Sequence, residues 1–155
     1  RYQRRIIMQI LVKNRKAQFN YEIVEKFEAG IQLLGCEVKS VKAGNISLDG
    51  AFVQLYGNEL YLINASIPAW QPANAPADYK PDRSRKLLLH RKEINYLIGK
   101  MKSERLMLIP LAVYLKKNKI KLELGLARSR KKVDKRELIK EREAQRELER
   151  RLKNY

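Results

Sequence analysis

The chain has 155 residues, one cysteine and a formal charge of +17. That length reads as one domain, and the lone Cys36 excludes both an internal disulfide framework and a cysteine-rich zinc site. No apolar run reaches the ~20 residues of a membrane span, so so basic a balance points to a polyanionic partner, nucleic acid before an anionic membrane surface.

In chain order, residues 6–12 form a short apolar run that reads as a strand or an anchoring extension. It lacks a small-residue cleavage site, so no secretory signal is expected; with one cysteine, the chain fits a reducing cytoplasm. Asn14, Arg15, Lys16 and Ala17 follow as a polar, basic link. Tyr21, Ile23, Phe27, Ala29 and Ile31 fall at odd positions with charges between them, which predicts a strand. Gly35 to Gly44 predicts a helix: Leu34, Val38 and Val41 share one face, Glu37, Lys39 and Lys42 the other, and Gly44 ends it. Residues 52–56 and 60–64 are strand-like runs around Gly57-Asn58, a hairpin signal.

Four of the five prolines (Pro68, Pro72, Pro76, Pro81) crowd residues 68–81, which reads as a surface loop carrying Trp70. Arg91 to Met101 predicts a helix with Ile94, Leu97 and Ile98 inward. Arg105 to Ile109 and Leu111 to Lys116 read as two strands. Ile120, Leu122, Leu124 and Leu126 alternate with polar residues or Gly125 in the cleanest strand of the chain, with a turn at Lys117-Asn118-Lys119 before it. Six strands and two packed helices predict a mainly β fold, a closed oligonucleotide-binding (OB)-type barrel, since closure removes free edges.

Residues 1–127 carry 22 basic and 11 acidic residues and form the barrel domain in this reading. Residues 128–155 are a tail with twelve basic and six acidic residues, no Gly and no Pro. Asp134 is placed to cap a helix, with Glu137 three residues on. Glu147 and Glu149 precede Arg151 and Lys153 by four, each pair worth ~0.2–0.5 kcal/mol. A lone helix of this kind is marginal in water. The expectation is a tail unstructured when free and helical on a polyanion; the alternative is a solvated helix lying back on the barrel.

The tail run K-K-V-D-K-R-E-L-I-K-E-R (Lys131 to Arg142) resembles the tail signature of SmpB, the SsrA-binding protein family of bacteria. N-R-K-A (Asn14 to Ala17), F-E-A-G-I (Phe27 to Ile31), G-C-E-V-K-S-V-K-A-G (Gly35 to Gly44), R-S-R-K-L-L-L-H-R-K-E-I (Arg83 to Ile94) and I-P-L-A-V-Y (Ile109 to Tyr114) follow the same family in order and spacing. The resemblance implies an OB-type barrel, monomeric in a 1:1 complex, that binds the tRNA-like domain of transfer-messenger RNA (tmRNA). It also implies delivery of that RNA to stalled ribosomes in trans-translation. There the tail fills the empty decoding site and the mRNA channel.

By that resemblance Asn14, Tyr21, Glu28 and Leu88 stand at RNA-binding positions of the barrel, with Arg15, Lys16, Lys39 and Lys42 as phosphate contacts beside them. In the tail, Asp134, Lys135 and Arg136 match the ribosome-engaging triplet, preceded by Arg130, Lys131, Lys132 and Val133. Val133 stands where the family usually has His or an aromatic, Ser129-Arg130-Lys131 where it has Gly-Lys-Lys, and Gly50-Ala51 where it has Asp-Ser.

Glu28 could take a hydrogen bond from a ribose 2′-hydroxyl or pair with a neighbouring cation. Tyr21 could stack on a base or belong to the core, and Trp70 is expected to pack on the barrel. His90 has no ligand-spaced partner, so neither metal nor cofactor is expected, and no nucleophile–base pair suggests an enzyme. A ribosomal or initiation-factor-like barrel bound to ribosomal RNA is the second reading of the same chemistry.

Overall fold

Alternation decides the centre of the fold. The computed structural model describes residues 8–154, so Ile6 and Ile7 of the first apolar run lie outside it. Strands β2 (Tyr21–Ile31) and β7 (Lys119–Ser129) pair antiparallel, and Ala29, Ile31, Leu122, Leu124 and Leu126 all turn inward and are buried. Strand β6 (Met107–Lys116) pairs with β7 across a turn in which Lys117 and Asn118 take positive φ. Strand β1 (Met8–Lys13) then adds to the outer edge of β6.

On the other side of β2, strand β5 (Arg85–Leu88) joins β4 (Glu59–Ile63), which pairs with β3 (Phe52–Tyr56). Gly57 and Asn58, both at positive φ, make the tight β3–β4 turn that the sequence announces. The full order is β1-β6-β7-β2-β5-β4-β3. This corrects the expected closed six-stranded barrel. Among the described residues there are seven antiparallel strands, and the hydrogen-bonded sheet they form is open, ending at β1 and β3.

Three local readings change for physical reasons. The two strands expected over residues 105–116 are one, Met107–Lys116: Pro110, which has no N–H to give a ladder, sits at a β-bulge between Pro110 and Ala112, and Arg105 caps α3 instead. Arg85–Leu88, which its Arg-Ser-Arg-Lys lead-in disguises, is a strand because Arg85 turns inward onto a buried carboxylate. The basic link after Asn14 is a short helix, α1 (Arg15–Asn20), held by packing rather than propensity. Its Ala17 seats on Ile109, Leu111 and Ala127, a small second core on the outer face of the sheet. Gly125 lies under this core; a Cβ there would meet Leu111 Cδ1 at 2.9 Å, so only glycine lets the layers approach.

Helix α2 (Gly35–Lys42) and helix α3 (Arg91–Glu104) cover the main core, contributing Val41, Ile94 and Leu97. Glu37 is not on the exposed face of α2, as its neighbours Lys39 and Lys42 suggest; it is fully buried. It accepts the Leu34 N–H at 2.8 Å, the Arg85 Nε–H at 2.7 Å and the Tyr79 hydroxyl at 3.1 Å, and pairs with Arg83. Arg85, also fully buried, donates onward to the carbonyls of Ala65 and Pro81. This cluster ties the proline-rich loop to α2 and β5. Trp70 in that loop is held by its backbone N–H on the Cys36 carbonyl, and its side chain is 40% exposed, so it packs only in part. Helix α4 (Lys132–Lys153) follows β7 and buries none of its residues.

Candidate nucleic-acid interface

The outer face of the sheet carries the first group of candidate residues. On β2, Glu28 and Gly30 point away from the core because Ala29 and Ile31 point into it. Tyr114, on β6, donates its hydroxyl to Glu28, and Lys116 Nζ lies 3.2 Å from the same carboxylate. The Tyr114 hydroxyl holds the Glu28 carboxyl below its ordinary value; partial burial opposes this, and Lys116 and the charge of Lys121 add to it. Burial and the facing carboxylate push the Tyr114 hydroxyl up. Glu28 is therefore a fixed anion at neutral pH, half-exposed, with acceptor capacity facing solvent. The bond to Lys116 realises the ion-pair reading, yet leaves the carboxylate open to a donor from outside.

Leu88 is 51% exposed and stands opposite Gly30 across the β2–β5 pairing. A Cβ at position 30 would lie 3.2 Å from the Leu88 Cβ, so the glycine sets how Leu88 sits beside Glu28.

The second group surrounds α1. Asn14 donates its side-chain amide to the Pro110 carbonyl at 2.9 Å, and its backbone N–H to Leu111 at 2.7 Å. It thereby pins α1 to the bulge of β6. Lys16 is exposed, and Tyr21 packs half-buried against the second core, so the core alternative holds for part of its ring. Asn14, Lys16 and Tyr21 line a cleft of about 590 Å³ in which β3 approaches the start of β6 without pairing; Phe52 and Met107 form its other wall. Arg15 faces a neighbouring hollow with Lys13 and Lys26.

Lys39 and Lys42 do not join these residues. They sit on α2, at the far end of the β2–β7 pair, where Lys42 Nζ reaches Asn118 Oδ1 at 3.3 Å. The length of β2 separates them from α1, roughly 30 Å at 3.3 Å per residue. The barrel candidates thus form one strip along β2, not a single patch. Tyr114, Lys116 and Lys121 belong to that strip and escaped sequence reasoning. Period 2 puts them outward, but nothing local ties them to Glu28.

The tail begins against α1. The Arg130 N–H donates to the Asn20 carbonyl at 3.0 Å, and its Nε–H to Tyr21 O at 3.2 Å. Lys131 is the N-cap, and Asp134 sits three residues into the helix, where its Oδ2 accepts the Lys131 N–H at 3.3 Å. This corrects the expected cap at Asp134 by three residues; the carboxylate still opposes the positive end of the helix dipole. Lys131, Lys132, Asp134 and Arg136 are exposed, Lys135 partly so, and Val133 is 62% exposed. Arg142 lies over the Phe19 ring at 5.8 Å, and Glu147 and Arg151 make the expected i,i+4 pair at 2.9 Å. Among the described residues no group of three or more His, Cys, Asp or Glu is arranged to hold a metal ion, and no helix is long and apolar enough to cross a membrane.

The family model described as SmpB protein matches residues 11–154. A protein named SsrA-binding protein from Mesomycoplasma hyopneumoniae (strain 232) is 49% identical over 148 residues, 96% of this chain and 99% of that one. One of the same name from Gloeobacter violaceus is 50% identical over 141 residues, 91% and 92% of the two chains. Another, from Trichormus variabilis, is 45% identical over 146 residues, 94% of each. Among solved structures, a chain described under "tmRNA-SmpB: a journey to the center of the bacterial ribosome" superposes with a TM-score of 0.62 at 43% identity, covering 78% of this chain and 85% of that one.

Proposed function

The chain belongs to the SmpB family, and from that premise we propose that it binds the tRNA-like domain of tmRNA and brings it to stalled ribosomes in trans-translation. Near-full-length identity to proteins named for binding SsrA carries this reading. The comparisons do not favour the ribosomal or initiation-factor-like alternative. The work is binding rather than catalysis, in the cytoplasm, by one copy of the protein per RNA. Capture of tagged protein from bacterial lysate should enrich a single structured RNA with stalled ribosomes. Stoichiometric recovery with all ribosomes would overturn the proposal in favour of a permanent ribosomal protein.

The strip along β2 is the RNA-binding surface in this reading. Glu28 and Leu88 meet the RNA from the sheet face, and Asn14, Lys16 and Tyr21 from the cleft. Arg15, Lys39 and Lys42 supply phosphate contacts at its two ends, which makes binding salt-dependent. Glu28→Gln keeps an acceptor for Tyr114 and removes the charge. A hydrogen bond to a charged group is worth about 1.5–3 kcal/mol, so a loss of about tenfold or more in affinity for the tRNA-like RNA is expected. Titration alongside a thermal melt checks this; an unchanged affinity, or a loss matched by unfolding, would count against a direct role.

The tail is a separable probe of the decoding site and mRNA channel. Two observations support an α4 whose helicity depends on a partner. None of its residues is buried. The groove it makes with β2 is lined by Glu22, Asp134, Glu137 and Glu141, against one cation, Arg130. Like charges at that seam favour release over docking. Circular dichroism of the tail peptide should show partial helix in buffer, rising with added polyanion. Full helicity without RNA would contradict coupled folding.

A further inference from the structure

We propose that the outer face of the β3–β4 hairpin is a stacking platform for unpaired bases of single-stranded RNA, a second nucleotide-binding surface beside the strip along β2. The proposal rests on the reading of the chain as an RNA-binding protein and adds a surface to it.

The register makes the platform. Phe52 pairs with Ile63, Gln54 with Tyr61 and Tyr56 with Glu59. Leu60 and Leu62 are buried, so the intervening residues face out. Tyr56 is 75% exposed and Phe52 44%. Tyr56 and Tyr61 meet edge-on, their centroids 6.2 Å apart, across a shallow groove of about 310 Å³ that also includes Gln54 and Ile63. An aromatic cluster on an edge hairpin invites self-association unless something uses it.

Charge selects the occupant. Lys86 stands in register with Tyr61 and makes no ion pair among the described residues. The nearby Glu59 is engaged by Arg91, so no free carboxylate guards the groove. Rings for stacking, an amide for a base edge and a free cation for a phosphate are what an unpaired strand requires. A purely apolar partner would not need Lys86, Gln54 or the tyrosine hydroxyls. The face is also continuous with the first surface. Lys86 is two residues from Leu88 on β5, beside Gly30 and Glu28, and β3 lies three strand spacings from β2, about 14 Å.

The test uses the full chain, a labelled single-stranded oligouridylate and a tRNA-like stem-loop RNA. The double variant Tyr56→Ala/Tyr61→Ala is expected to bind the oligouridylate about tenfold more weakly or worse, while Tyr56→Phe/Tyr61→Phe retains binding because the rings remain. Glu28→Gln should weaken only the stem-loop RNA. Equal oligouridylate affinity for the alanine pair and the wild type overturns the platform; so does unchanged RNA binding with altered self-association in sedimentation, which would assign the face to protein contact. A wild-type protein that binds the stem-loop but no single strand also overturns the platform alone. Binding to neither RNA overturns the RNA-binding reading itself.

Discussion

Glu37→Ala is expected to cost the fold about 3–5 kcal/mol, the scale for removing one partner of a buried ion pair. Arg85 is fully buried and would keep its charge while losing its counter-ion. Arg83, the Tyr79 hydroxyl and the Leu34 N–H would each lose an acceptor as well. The carboxylate also anchors the loop from Ala65 to Arg83 beside the backbone bond of Trp70 to Cys36, because Arg85 carries its grip on to Ala65 and Pro81. A fall of about 10–20 °C in Tm follows for a domain of this size. Glu37→Gln should cost less, since its amide oxygen can still accept.

The same carboxylate makes the fold acid-sensitive in a defined direction. Burial pushes the Glu37 carboxyl up, but its bonds to Arg83, the Leu34 amide and Arg85 outweigh this and hold it below its ordinary value. A depressed carboxylate contributes stability that is fully present above the unfolded-chain value and is lost as pH falls through the folded one. Urea titrations at neutral pH and near pH 3 check both points. The gap between wild type and Glu37→Gln should be wide at pH 7 and narrow in acid. A loss below 1 kcal/mol for the alanine variant at pH 7 would show that the cluster does not hold the loop.

The elements legible in the sequence are those whose signal is local. Alternation in Ile120 to Leu126 marks β7, and Gly57-Asn58 marks the β3–β4 hairpin, because period and turn chemistry act within a few residues. Arg85 and Glu37 could not be read so. Each is a polar residue that is buried only because the other is there, 48 positions away in sequence. Helix α1 is too short to show a period and is held because Ala17 packs with Ile109, Leu111 and Ala127. The missing barrel closure is equally non-local: β3 and β6 face each other unpaired across a cleft that Lys16, Ala17 and Asn20 of α1 help to line, and no strand pattern encodes that.

The candidate interface divides likewise. The tail triplet stands out because its neighbours in sequence are its neighbours in space. The strip along β2 does not, since Tyr114 reaches Glu28 from 86 residues away. Resemblance supplied Glu28 and Leu88 where periodicity gave only an outward glutamate and an unassigned leucine. It also placed Lys39 and Lys42 beside Lys16, whereas the fold sets them at opposite ends of a strand.

Replacing Asp134, Lys135 and Arg136 together with Ala is expected to abolish tagging on stalled ribosomes while leaving affinity for the tRNA-like RNA nearly intact. None of the three is buried, and among the described residues their one side-chain hydrogen bond is that of Asp134 with the Lys131 N–H. The fold therefore has little to lose beyond a helix start worth about 1 kcal/mol. The triplet carries two cations and one anion, a net charge of one. If both cations touched tmRNA phosphates, the slope of log affinity against log salt would fall by about two units; if neither does, the slope stays. A salt series of RNA titrations run beside an in vitro tagging assay separates the two. Asp134→Asn refines the result, since it keeps an acceptor for Lys131 and removes only the charge that sits among Lys131, Lys132 and Arg136. Loss of tagging in step with loss of RNA affinity would end the division of labour between sheet and tail. Loss of tagging at constant affinity would place the decisive contact beyond the RNA, on whatever surface receives α4.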